Sequence, residues 1–173
     1  MLFRRALLAG GLVSGAAFVL PASLRAQPAE DDAQKLVAAS RRSAAVPLTY
    51  DPAYSRLDYP GGDVPRARGV CTDVIVRAYR DGLAIDLQVL VHEDMRRAFS
   101  AYPPLWGLKR TDRNIDHRRV PNLQAFLKRQ GAALPVSKDG ADYRPGDIVS
   151  QMLPGNLPHI GIVADARSAD GAR

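Results

Sequence analysis

At 173 residues the chain can form one domain with a real core and is too short for two ordinary ones. Hydrophobic residues at 46% and charged residues at 24% exclude a disordered tail, and the single cysteine, Cys71, excludes an internal disulfide framework and any metal site needing two thiolates. The formal net charge of +6 suits an anionic partner, but its distribution matters more than its size.

Half of that charge belongs to the first 26 residues, which have the form of a signal peptide. Arg4 and Arg5 precede an uncharged apolar run over residues 6–20, Pro21 breaks it, and Ala26 is the expected last residue before cleavage. The run is short for a membrane span, and the adjacent arginines also permit twin-arginine export. Cleavage removes Arg4, Arg5 and Arg25 and no acid, leaving residues 27–173 as a single domain of charge +3. The expected location is the periplasm, with the membrane met only transiently through the signal peptide. Export and the scattered basic pairs argue against nucleic acid as a partner.

Residues 27–32 read as a polar leader, and Asp32 as the cap of a helix running to about Arg42, with Leu36 and Val37 on its apolar side. Pro47 ends any helical reading. Residues 50–68 are irregular and rich in turn signals, with Tyr50, Tyr54 and Tyr59 placed to pin the loop through their rings. The next helix opens at Gly69-Val70-Cys71-Thr72-Asp73. Its stripe is Cys71, Val74, Ile75 and Ala78, with Arg77 off it, and Gly82 is its left-handed stop. A helix from Asp86 follows, carrying Leu87, Leu90, Val91 and Met95, less strictly continued by Ala98 and Phe99, and stopped by Pro103-Pro104. Trp106 is expected to pack over the helix ends. Val120-Pro121 starts a third helix, buried through Leu123, Phe126 and Leu127 and stopped by Gly131. Short strands are expected over residues 148–152 and 159–164, joined by a loop. Helices first and strands later predict an α+β domain with a thin sheet, incomplete at the C-terminus.

Cys71 is the candidate nucleophile. It sits at a helix start, where backbone N–H groups favour thiolate, although Asp73 nearby works the other way. A small buried hydrophobe is the competing reading. A thiol hydrolase also needs a base, and three histidines are available. His92 is expected at a helix surface. His117, in Asp116-His117-Arg118-Arg119, suits an anionic group or plain solvation. His159 opens a strand on which alternation puts His159, Gly161 and Val163 on one face and Ile160 and Ile162 on the other. Cysteine on a helix followed by histidine on a strand, 88 positions later, is the papain-type order.

From about Tyr50 to Arg173 the chain resembles a bacterial family, the domain of unknown function numbered 1287. The pieces that carry the resemblance include Tyr59-Pro60-Gly61-Gly62-Asp63-Val64-Pro65, Gly69-Val70-Cys71-Thr72-Asp73 and Val91-His92-Glu93-Asp94-Met95. Others are Asn114-Ile115-Asp116-His117-Arg118-Arg119-Val120-Pro121-Asn122, Gly146-Asp147-Ile148-Val149 and His159-Ile160-Gly161-Ile162. That family in turn resembles the papain-like NlpC and CHAP hydrolases of bacterial cell walls. The resemblance implies a papain-like fold, a catalytic Cys71 and His159, and peptidoglycan or its peptide fragments as substrate, with no cofactor and no metal. Asp73, Asp116 and His117 are the candidate substrate contacts, or are simply solvated. Val70-Cys71-Thr72 departs from the usual Asp-Cys-Ser, and the third polar residue that orients the histidine in these relatives has no counterpart here. A wall- or glycan-binding module that keeps the fold without catalysis is therefore the alternative. A metal site from Cys71, His117 and His159 is a third reading.

Overall fold

The computed structural model describes residues 1–3, 22–46 and 48–167. The apolar run over residues 6–20, Pro47 and the last six residues lie outside the described residues. The architecture is mixed α/β, with several helices and a small antiparallel sheet. In chain order the main elements are β1 (Leu2–Phe3), α1 (Ala22–Ala44), β2 (Thr49–Tyr50), β3 (Arg68–Gly69), α2 (Cys71–Leu83), α3 (Leu87–Arg97), α4 (Val120–Arg129), β4 (Ala133–Leu134), β5 (Ile148–Leu153) and β6 (Leu157–Ile162). A 3-10 turn, Asp116–Arg118, precedes α4.

The first helix starts ten residues before the expected cap. Its opening is rich in Ala, Leu, Arg, Gln and Glu, good helix formers that carry the helix through Pro28, so Asp32 lies within it and faces Lys35. It also runs through the expected cleavage point at Ala26. Leu36, Val37 and Ala39 are buried. Gly82 has a different role from the one expected. The left-handed residue at the end of α2 is Ala84, at φ 55°, whereas Gly82 lies inside the helix, where an added Cβ would stand 2.9 Å from the Lys35 carbonyl of α1. Gly82 lets two helix backbones approach.

α3 starts just after Asp86 as expected, and the Asp86 carboxylate caps it, accepting from Gln88 N–H at 3.0 Å. The core lies between α2, α3, α4 and the sheet, around Ile75, Val91, Leu123, Phe126, Ile148 and Ile160, all at most 2% exposed. Each such side chain contributes about 1.5–3 kcal/mol by leaving water. Arg77, expected off the apolar stripe, is 1% exposed and buried against the 63–68 segment. Its guanidinium forks onto Asp63 at 2.8 and 3.0 Å, and donates to the carbonyls of Val64 and Arg68 at 3.0 Å each and of Arg66 at 3.4 Å. The periodicity argument fails here because a paired, fully bonded cation is buried without an apolar signal.

The sheet order is β4-β1-β5-β6, antiparallel throughout. Leu2–Phe3, on the leader side of the expected boundary, pairs with both β4 and β5. Among the described residues β6 is an edge strand, and the hairpin tip exposes Met152 and Leu157. Trp106 is half-exposed and stacks on a helix end as expected: the guanidinium of Arg119, the residue that precedes α4, lies over its ring at 4.1 Å. The tyrosines pin the long loop through hydroxyls more than rings. Tyr54 donates to Asp112 at 3.0 Å and Tyr59 to Glu93 at 3.1 Å, while Tyr50 is exposed.

Candidate active site at the start of the second helix

The turn into α2 is built by Gly69, Val70 and Asp73. Gly69 takes φ 149°, and a Cβ there would meet Asp73 Oδ2 at 2.8 Å. Val70 is extended, and its N–H donates to Asp73 Oδ2 at 2.7 Å, fixing the residue before Cys71. Asp73 is 3% exposed and takes a fork from Arg118, Nε to Oδ1 at 2.8 Å and Nη2 to Oδ2 at 3.0 Å. The Arg118 guanidinium also donates to the carbonyls of Ala53 and Asp51, and the Thr72 hydroxyl donates to the Arg118 carbonyl at 2.9 Å. The first turn of α2, the 116–118 turn and the 51–53 loop are thus one hydrogen-bonded unit. The negative charge placed beside the thiol is matched by a buried cation.

Cys71 is the first residue of α2, a free and half-buried thiol whose apolar side packs on the core. His159 is half-buried on β6, and this strand packs beside α2. Ile160 is buried and His159 half-buried at the neighbouring position of β6. An added Cβ on Gly161 would meet nothing within 4 Å, so the face beside His159 is open. No hydrogen bond joins Cys71 to His159. Gln151 stands opposite His159 in the β5–β6 register, on the same face. The sequence did not single it out, because that pairing depends on the hairpin register.

The three expected substrate contacts lie inside the protein. Asp73 is engaged as above, Asp116 is fully buried, and His117 is 2% exposed. Asp116 Oδ2 accepts from Asp112 N–H at 2.6 Å and stands 3.6 Å from His92 Nδ1, while the Asn122 amide donates to the Asp116 carbonyl at 3.1 Å. Burial pushes the Asp116 carboxyl up, the Asp112 N–H and His92 opposing it. Burial also holds His117 down to about 4, against the attraction of Asp73, so this imidazole is neutral at pH 7. His92, expected at the surface, is half-buried edge-on against Tyr59, with ring centroids 5.4 Å apart. Asp116 Oδ1, His92 Nδ1, His117 Nδ1 and Asn122 Oδ1 have no hydrogen-bond partner among the described residues.

Among the described residues no three His, Cys, Asp or Glu side chains converge as a metal set, so Cys71, His117 and His159 do not form the three-ligand site considered above. No described helix is long and apolar enough to cross a membrane.

The chain belongs to the family described as a domain of unknown function, DUF1287, whose model matches residues 37–173. It is similar to the uncharacterized protein YijF of Escherichia coli (strain K12), 54% identical over 132 residues. The match covers 76% of this chain and 64% of that relative, so the chain spans less than two thirds of the relative's length. No solved structure matches the chain.

Proposed function

We propose that this domain is an exported, periplasmic cysteine hydrolase that cleaves amide bonds in peptidoglycan peptides, on a papain-like arrangement of helix and strand. The observation that carries the proposal is the free thiol of Cys71 on the first residue of α2, beside the edge strand that bears His159. His159 takes the thiol proton as Sγ bonds to the amide carbonyl carbon. The Cys71 backbone N–H at the helix start faces the developing oxyanion. The C–N bond then breaks and His159 returns the proton to the leaving amine. Water, deprotonated by His159, releases the acyl group as a carboxylate and restores the thiol. Gln151, opposite His159 in the strand register, would orient the imidazole through its amide oxygen.

The test is release of new amines and carboxylates from purified peptidoglycan. Cys71→Ala and His159→Ala should each abolish release, and iodoacetamide should label Cys71 and block it. Unchanged release by Cys71→Ala would sink the hydrolase. Binding to peptidoglycan without any release, equal in both proteins, would instead establish the non-catalytic wall-binding module.

A further inference from the structure

A groove of about 930 Å³ opens between the 54–56 loop, α3 and the 107–114 loop. Five cations line it, Arg56, Arg96, Lys109, Arg110 and Arg113, together with His92 at its inner wall. The one lining carboxylate is Asp112, and it is already engaged. Its Oδ2 accepts from the Tyr54 hydroxyl at 3.0 Å, and its Oδ1 accepts from the Asn114 backbone and side-chain N–H groups at 2.9 Å each. Asn114 also donates to the Tyr54 hydroxyl at 2.8 Å and accepts from Leu57 N–H at 2.9 Å, so this network ties the two loops together and gives the groove a preformed floor.

The cations are not neutralised in the same way. Arg96 pairs with Glu93 at 3.0 Å, and Arg113 lies 5.7 Å over the Tyr59 ring. Arg56, Lys109 and Arg110 are exposed and make no ion pair or hydrogen bond among the described residues. Residues 27–173 carry a net charge of only +3, so the groove lining, five cations against one carboxylate, holds more positive excess than that whole stretch of chain. Cations scattered for solubility would not concentrate this way; a groove that draws oxyanions would.

We propose that this groove is a binding site for a ligand of roughly short-peptide size carrying at least two oxyanion groups, carboxylate or phosphate. Arg56, Lys109 and Arg110 supply the free donors, and the Tyr54–Asp112–Asn114 network supplies the rigid floor. The site includes neither Cys71 nor His159, so it stands whether or not the thiol is catalytic.

The test is equilibrium binding by calorimetry at about 0.15 M salt, in the full chain and again in Cys71→Ala, where cleavage plays no part. The probes are tri-glutamate and tripolyphosphate, with tri-glutamine as the neutral control. At least one anion should bind saturably and tri-glutamine should not. The preferred anion identifies the source as carboxylate or phosphate. Arg56→Gln/Lys109→Gln/Arg110→Gln should weaken binding about tenfold or more. Lys128→Gln/Lys138→Gln/Arg144→Gln removes the same charge from exposed positions elsewhere and should leave binding within about twofold. Absence of binding by both anions overturns the proposal, as does equal weakening by the two triple variants, which would reveal bulk charge rather than a site.

Discussion

Replacing Asp73 by Asn keeps the shape of the side chain and removes its charge. The side chains of Asp73 and Arg118 are 4% and 2% exposed, so the guanidinium left behind cannot be rescued by water. Breaking a pair buried to this degree costs about 3–5 kcal/mol. Arg118→Met should cost a similar amount, because the Asp73 carboxylate would retain only the Val70 N–H. The double variant Asp73→Asn/Arg118→Met leaves no charge buried, so it should cost less than the sum of the singles by about 2 kcal/mol or more. Against a total stability of roughly 5–15 kcal/mol, each single is a large loss. Urea unfolding followed by far-UV circular dichroism reads it directly. With a slope of about 1–3 kcal/mol per molar, the midpoint of each single should fall by about 2 M without a change in slope. Singles within about 0.5 kcal/mol of the wild type, or a strictly additive double, would mean that the pair behaves as a solvated surface contact, as a typical exposed ion pair does.

Two further perturbations test other parts of the structure. His117 is neutral in the fold with its pKa held down to about 4, whereas the unfolded chain takes up a proton near pH 6.5. Stability from this group is therefore complete above about pH 6.5 and declines as the pH falls toward 4, by up to about 3 kcal/mol. His117→Gln should flatten that part of the pH–stability curve, and an unchanged slope would remove His117 as its source. Gly82→Ala should destabilise by about 1–3 kcal/mol, despite the better helix propensity of Ala, because the new Cβ meets the Lys35 backbone carbonyl at 2.9 Å. A gain in thermal midpoint would show that α1 yields at no cost.

Signals confined to a few neighbouring residues were legible in the sequence. α3 begins beside Asp86, Pro121 sits in the first turn of α4, Cys71 opens α2, and two strands flank a turn near Gly155. Interactions between distant positions were not. The acceptors of Arg77 lie 9 to 14 residues away, and the partner of Asp73 lies 45 away, so periodicity classed both side chains by their polarity alone. Gly82 carries no mark separating a helix stop from a helix–helix contact. The polar interior around Asp116 and His117 looked like a solvated turn because charged letters normally signal surface. The basic groove is assembled from three separate segments, each unremarkable when read singly.

The internal cation at Arg77 has a consequence for what the chain before Cys71 can tolerate. A surface loop ordinarily accepts insertions, since its ends are fixed and its middle is solvated. The 63–68 segment instead closes around one guanidinium anchored on α2, with a carboxylate and four carbonyls each at a set distance from it. Adding one residue would rotate those acceptors away and leave a buried cation facing hydrocarbon. The segment is thus a gauge of fixed length that delivers Gly69 and Val70 to the helix start in one register. Variation in length is better accommodated at the 154–156 hairpin turn, where the neighbouring Met152 and Leu157 already stand in solvent.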